Sequence, residues 1–258
     1  FNVLFRTLPP TRPYFAAGVP GSFHRRLFPA GTLHLAHASY ALHWLSRVPE
    51  AVADRNSAAF NGTHVHCIGT GREEVTGAYL EQFYGDMEKF LCARAEEMVS
   101  GGLVVIVSAC LPDEPPVHLQ AETALFWETL GECIKDMAKE GLIDEERAET
   151  FNLPLYLPTP GQLRRIVEKN GKFRVEKVET FPHPAALRPT IYSDDVTKFA
   201  AMVRATVEAL FGAHFGSGGI DVDDAFRRYA RKLQNEGFPG FCDQIRKRIE
   251  VFVLLKRN

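Results

Sequence analysis

The sequence predicts an α/β fold carrying additional helices, and three observations predict it. A helix-period segment runs directly into the β-branched apolar run "LVVIVSAC" at 103–110. A helix followed by a buried strand is half of a βαβ unit. Two later strand-like segments, "KFRVEKVETF" at 172–181 and "RIEVFVLLKR" at 248–257, flank a long helical block. That order suits a sheet with an antiparallel edge, interrupted by an insertion. Finally, 45% of the 258 residues are hydrophobic, enough to bury one large domain or a domain with an insertion.

Each element follows from local pattern. "TLHLAHASYALHWL" at 32–45 mixes apolar and small residues as a strand buried on both faces does. From Ala78 to Val99 the apolar positions Tyr79, Phe83, Met87, Phe90 and Leu91 recur at helical spacing, with charges between them. Gly101-Gly102 is expected to end that helix. "ALFWETLGECIKDMAKEGLI" is an amphipathic helix ending at Gly141. In "TPGQLRRIVEKNG", Thr159 is the expected N-cap and Pro160 the first helical residue. A helical pair is expected over roughly 192–214 and 222–236.

Composition excludes several function classes. A net charge of −2 and a pI near 6.5 give no nucleic-acid or membrane-surface footprint, and the basic residues are scattered. No apolar run reaches transmembrane length and no signal peptide is present. The five cysteines form no CxxC pair and sit in apolar contexts, as buried thiols of a reducing, cytoplasmic compartment do. Asn61-Gly62-Thr63 fits a glycosylation sequon, which without a secretory signal is read as chance. The chain starts at Phe1 with structure-forming sequence at once, so it is expected to begin inside a domain.

The segment "GVPGSFHRRLFPAGTLHLAHASYALHWLSRVPE" at 18–50 carries the most chemistry. A Tyr, a His and a Trp close together where a strand ends can line a pocket for a small flat or apolar molecule with one polar end. This segment resembles the plant SABATH family of S-adenosylmethionine-dependent carboxyl and N-methyltransferases. "DRNSAAFN", "AYLEQFYGDMEKFLCARAEEMVSGG", "GLIDEERAETFNLPLYLPTPGQL" and "GAHFG" match family segments in the expected order and cover nearly the whole chain.

The resemblance implies a Rossmann-like class I methyltransferase sheet with an α-helical cap. Residues 1–115 would belong to the cofactor-binding α/β domain, with a preceding segment supplying its first strand, Gly-rich turn and acidic ribose ligand. Residues 116–170 would form cap and connection, 171–190 a sheet strand, 191–240 more cap, and 241–258 the final strand. It further implies S-adenosylmethionine as cofactor, a small carboxylic acid as substrate, and a homodimer.

Residue roles follow by resemblance. Ser22 and Phe23 would face the adenine, the hydroxyl bonding its edge and the ring stacking on it. Ser39 would also lie near the cofactor. Tyr40, His43 and Trp44 would line the acid pocket. The Trp44 indole, a donor only, suits a carboxylate oxygen. Phe126, Trp127, Val203 and Thr206 would be pocket walls that set substrate size. Asn61, Glu149, Phe151 and Asn152 match positions where some relatives hold magnesium, although Glu149 stands where Asp is common. "FNVLFRTLPP", "HASYALHWLSRVP" and "FPHPAAL" look most like the branch with loganate and farnesoate enzymes.

The expected reaction is methyl-ester formation on a small acid. A carboxylic acid with a pKa of about 4 is already ionised near neutrality, so no general base is required. That accounts for the lack of a Ser/His/Asp triad or paired acids in the sequence. Two other readings remain open: N-methylation of a xanthine-like heterocycle, and a degenerate homologue that binds a hormone-like acid without turnover.

Overall fold

The computed structural model describes residues 2–114, 117–187 and 195–258. In chain order the elements are α1 (Asn2–Thr7), β1 (Leu33–Ser39), α2 (Glu50–Ala53), α3 (Glu73–Glu97), β2 (Met98–Cys110), α4 (Val117–Lys139), α5 (Glu145–Thr150), α6 (Pro160–Asn170), β3 (Phe173–Pro182), α7 (Pro184–Leu187), α8 (Val196–Phe215), α9 (Val222–Asn235), α10 (Phe238–Arg246) and β4 (Ile249–Arg257). The start of the helix expected from 192 and the domain boundaries expected at 115–116 and 190–191 lie outside the described residues.

The strands form one sheet in the order β1-β2-β4-β3. β1 and β2 run parallel, with Ser39 paired to Val107. β4 runs antiparallel to both β2 and β3. The expected antiparallel strand is therefore inserted between two others rather than placed at the edge. Because β4 is reversed, its first residues meet the last residues of β2 and β3: Ile249 pairs with Cys110 and with Pro182. Four chain segments thus converge at one end of the sheet, around Ser39, Cys110, Pro182 and Ile249.

Helix α3 buries Tyr79, Phe83, Met87, Phe90 and Leu91, the stripe its spacing predicts. They pack with Leu163, Ile166 and Val167 of α6 against Val104, Ile106, Val251, Val253 and Leu255 of the sheet. Each fully buried side chain of this size contributes about 1.5–3 kcal/mol relative to exposure. α3 ends at Glu97, before the two glycines: Gly101 and Gly102 lie inside β2. The strands alternate rather than being buried on both faces. Val104, Ile106, Ser108 and Cys110 are buried and their neighbours half-buried, while Leu35 of β1 is 60% exposed. An α3/α6 layer on one face produces that period-two pattern.

A second core forms the cap. α4, α8, α9 and α10 interlock through Trp127, Leu130, Phe199, Val203, Phe211, Tyr229, Phe238 and Cys242. The 116–170 segment is split between the two cores, α4 and α5 going to the cap and α6 to the sheet layer. Likewise 241–246, expected with the final strand, continues the cap as helix α10, with Phe238 and Cys242 buried there. Thr159 caps α6 with a full capping box to Gln162 and Pro160 at its start. All five cysteines are free, and four of them are buried.

Candidate active site

The convergent end of the sheet positions the aromatic cluster. Tyr40 follows β1 directly with φ of +50°, the sole non-glycine residue at positive φ among the described residues, and its N–H donates to the Val107 carbonyl at 2.8 Å. A strained residue just past a parallel strand marks a place where ligands bind in α/β sheets. The chain then turns so that His43 and Trp44 lie along the extended segment 151–158. Tyr156 N–H donates to the His43 carbonyl at 2.9 Å, Leu45 N–H to the Pro154 carbonyl at 2.7 Å, and Trp44 bridges to Leu155.

From there an arc of rings crosses into the cap. His43 and Trp44 have centroids 5.8 Å apart. Trp44 meets Trp127 edge to face at 6.2 Å, and Trp127 lies 4.1 Å from Phe126. Both of the chain's tryptophans are therefore in one place. A cavity of about 80 Å³ lies between them, walled by His43, Trp44, Phe126, Trp127, Cys110 and Arg248 among others. His43 Nδ1 is 3.1 Å from the Ser108 hydroxyl. Burial lowers the His43 pKa to about 4, so the imidazole is neutral at pH 7 and polarises rather than carries charge.

The cofactor-side residues stand differently. The Ser22 hydroxyl accepts from the His24 N–H at 3.3 Å, and Ser22 shares a 560 Å³ cavity with Ser46 and Lys89. Phe23 is half-buried against the sheet-layer core, while Ser22, Ser39 and Tyr40 are exposed. The loop is fixed from below by a buried ion pair: Arg94 meets Glu97 at 2.6 Å. Arg94 also donates to the carbonyls of Phe23 and Arg25, both at 2.9 Å. Glu97 accepts from the backbone of Leu27 and, at 3.0 Å, of Phe28. Burial would raise the Glu97 pKa, but the Arg94 guanidinium and these N–H groups outweigh it and keep it low.

Neither of the two expected wall positions on α8 lines this cavity. Val203 is 2% exposed within the cap core. Thr206, three residues on, faces away: it is exposed and its hydroxyl bonds the Met202 carbonyl at 3.0 Å, so it does not line this cavity.

The four positions matched to magnesium come together only in part. Asn61 Nδ2 donates to Asn152 Oδ1 at 2.8 Å and to the His64 and His66 carbonyls, both at 3.0 Å. The Tyr79 hydroxyl also donates to Asn152 Oδ1, at 3.3 Å. Glu149 pairs with Arg55 at 2.6 Å. Phe151 turns its ring into the cap, 5.1 Å from Phe211. Asn61 Oδ1 is buried and accepts no hydrogen bond, which leaves one hard oxygen open, whereas Glu149 is committed to the Arg55 guanidinium and Asn152 Oδ1 already receives two donors. Among the described residues no group of three or more His, Cys, Asp or Glu could hold a metal. With its side chain buried and bonded, Asn61 is also no glycosylation acceptor.

Several polar residues escape the sequence reading. Ser108 is a polar residue inside an apolar strand, Arg248 and Glu250 are charges at the start of another, and His64 and His66 clasp Glu128 of α4 at 3.4 and 3.2 Å. Burial would raise the Glu128 pKa, but the two imidazoles hold it well below the usual carboxylate range. The available signal is a charge or hydroxyl at a position the strand or helix period buries.

The sheet order, the reversed β4 and the capped aromatic pocket define an S-adenosylmethionine-dependent methyltransferase. The family described as SAM dependent carboxyl methyltransferase matches residues 1–258, and the chain belongs to it. Loganic acid O-methyltransferase of Catharanthus roseus is 43% identical over 258 residues, covering 100% of this chain and 67% of the relative. Farnesoic acid carboxyl-O-methyltransferase of Arabidopsis thaliana is 39% identical over 212 residues, covering 82% of this chain and 60% of its own length. A solved structure of loganic acid methyltransferase with SAH superposes with a TM-score of 0.89 at 43% identity, covering 100% of this chain and 70% of that one. Among the described residues no helix is long and apolar enough to cross a membrane.

Proposed function

We propose that this chain supplies the acid-binding pocket and one wall of the cofactor site of an enzyme that methylates a small carboxylic acid of hormone-like, terpenoid or aromatic kind. The observation that carries this reading is the Trp44–Trp127 edge-to-face pair enclosing a small aromatic cavity at the carboxyl end of β1 and β2.

S-adenosylmethionine, when bound, supplies an activated methyl group on a sulfonium. The exposed Ser22 and Ser39 hydroxyls and the half-buried Phe23 ring suit its polar base edge and flat face. Trp44 donates its indole N–H to the acid's carboxylate. Tyr40 and the neutral His43 fix the polar end of the pocket, while Phe126 and Trp127 exclude water and orient the acid's body. The carboxylate arrives ionised, so no residue abstracts a proton; placement alone can supply several kcal/mol, roughly 7–11 in favourable systems. A homodimer in the cytoplasm, with no nucleic-acid partner, belongs to the same reading.

The test is transfer of radiolabelled methyl from S-adenosylmethionine by the full-length protein to loganate, farnesoate, indole-3-acetate and aromatic acids, with paraxanthine alongside. An organic-extractable ester from one acid is expected. Methylation of paraxanthine alone would replace this reading with heterocycle N-methylation. Absence of any cofactor binding would replace it with acid binding without turnover.

A further inference from the structure

The two tryptophans that enclose the aromatic cavity stand on different elements, Trp44 after β1 and Trp127 on α4. One loop, residues 61–68, is tied to both. The Val65 carbonyl accepts from the Leu153 N–H at 2.7 Å. The same extended segment forms the Trp44–Leu155 bridge and donates from the Tyr156 N–H to the His43 carbonyl. On its other side the loop meets α4 at Gly131, one turn beyond Trp127. A Cβ there would stand 3.2 and 3.4 Å from the two methyls of Val65 and 3.5 Å from the Thr63 carbonyl oxygen. Glycine inside a helix is unfavourable, and here it permits this close approach.

The loop also grips α4 by charge. Glu128, next to Trp127, presents Oε1 to His66 Nε2 at 3.2 Å and to His64 Nδ1 at 3.4 Å. The other nitrogen of His66 fixes its tautomer: Nδ1 accepts from the Ile68 N–H at 3.0 Å, so the ring holds its proton on Nε2, facing the carboxylate. His66 is wholly buried, and among the described residues its Nε2 has no partner besides this bent contact. Asn61 Nδ2 in turn donates to the carbonyls of both histidines at 3.0 Å, which fixes the backbone that carries the two rings.

We propose that Glu128, held by His66 and His64, is a positioning residue of the reaction: it does not touch the acid but sets where the Trp127 ring stands opposite Trp44, and so how tightly the acid is gripped. This rests on the carboxyl-methyltransferase reading given above. Val65 and Ile68 also pack into the cap core, but apolar packing is non-directional. Two imidazoles converging on one carboxylate oxygen add direction. Residues 127 and 128 are consecutive on one helix, so a slide or rotation of α4 that lengthened the Glu128 contacts would carry the indole with it. The Trp44–Trp127 centroids are 6.2 Å apart. Rings attract over about 4.5–7 Å, so a small outward shift opens this wall of the cavity.

The experiment is a double-mutant cycle in the full-length protein with its best acid. Glu128→Gln keeps the size of the side chain and removes its charge. It is expected to raise acid KM about fivefold, with kcat and cofactor Kd within about twofold of wild type. In a Trp127→Leu background the same substitution is expected to change KM by less than about twofold, because the ring it positions is gone. His64→Gln, at a half-exposed side chain, is the milder second variant and should raise KM about threefold with the same dependence on Trp127. Equal KM losses in both backgrounds, a loss carried by kcat or by cofactor Kd, or an unchanged KM in Glu128→Gln overturns the proposal. If no acid is methylated, the same cycle is read in acid Kd by titration calorimetry. A loss that depends on Trp127 then supports the role of Glu128 while the reaction reading fails. Losses that do not depend on Trp127, or no acid binding at all, overturn it.

Discussion

The acid side and the cofactor side of the site are held by different forces. Phe126 and Trp127 are buried within a cap core rich in aromatic rings. Ser22 and Tyr40 stand exposed on loops and Ser39 at the end of β1, and residues 22–28 are anchored chiefly through the Arg94–Glu97 pair. Packing distributes the fixing of a side chain over many weak contacts. An ion pair concentrates it in two groups whose separation leaves a buried charge behind. The acid pocket should therefore change shape gradually when its surroundings are trimmed, whereas the cofactor loop should fail abruptly.

Substitutions can break this contrast. The largest stability effect is expected from Phe211→Ala in the cap, because Phe211 is fully buried among Phe151, Phe215 and Phe226. A loss of about 3–5 kcal/mol in denaturant unfolding is expected, with acid KM altered more than cofactor Kd. Arg94→Ala should cost a comparable amount, about 3–5 kcal/mol, but with the opposite signature: cofactor Kd rises by about tenfold or more while acid affinity, read by tryptophan quenching, holds. Identical signatures for the two variants would erase the distinction.

A smaller effect concerns pH. His43 has a folded pKa of about 4 against 6.5 for the exposed group, because burial disfavours its charge. Between those values the unfolded chain binds more protons than the folded one, so this contribution to stability grows as pH rises and is complete above about 6.5. Its full size is roughly 3 kcal/mol, at 1.36 kcal/mol per pKa unit. His43→Gln should flatten the stability profile between pH 4 and 6.5, the window set by the same two values. An unchanged slope would show that His43 is not a source of that pH dependence.

Much of the fold was legible because period and capping dictated it locally. The α3 stripe, the Thr159 capping box and the α8/α9 pair all follow from side chains within a few turns of one another. The end of α3 and the burial of β1 were not legible in this way. Gly101-Gly102 look like a helix stop, yet β2 starts before them because Met98 buries under the sheet layer. The apolar run of β1 looks two-sided, yet the α3/α6 layer covers one face. At the site, Tyr40, His43 and Trp44 were contiguous in sequence and so visible. Arg248 and Ser108 were not, since only the reversal of β4 brings the first beside Trp44 and only the β1–β2 register brings the second beside His43. The helical period of α8 separates the other two expected positions, burying Val203 in the cap and leaving Thr206 exposed.

The most direct test is a paired measurement on Trp44→Ala in the full-length protein: kcat/KM for methyl transfer to its best acid, and Kd for S-adenosylmethionine. If the aromatic arc positions the acid and the Ser22–Phe23 loop holds the cofactor, kcat/KM falls by about 100-fold or more while cofactor Kd stays within about twofold of wild type. Undiminished kcat/KM, or a parallel collapse of both quantities in a variant that remains folded, would contradict the account.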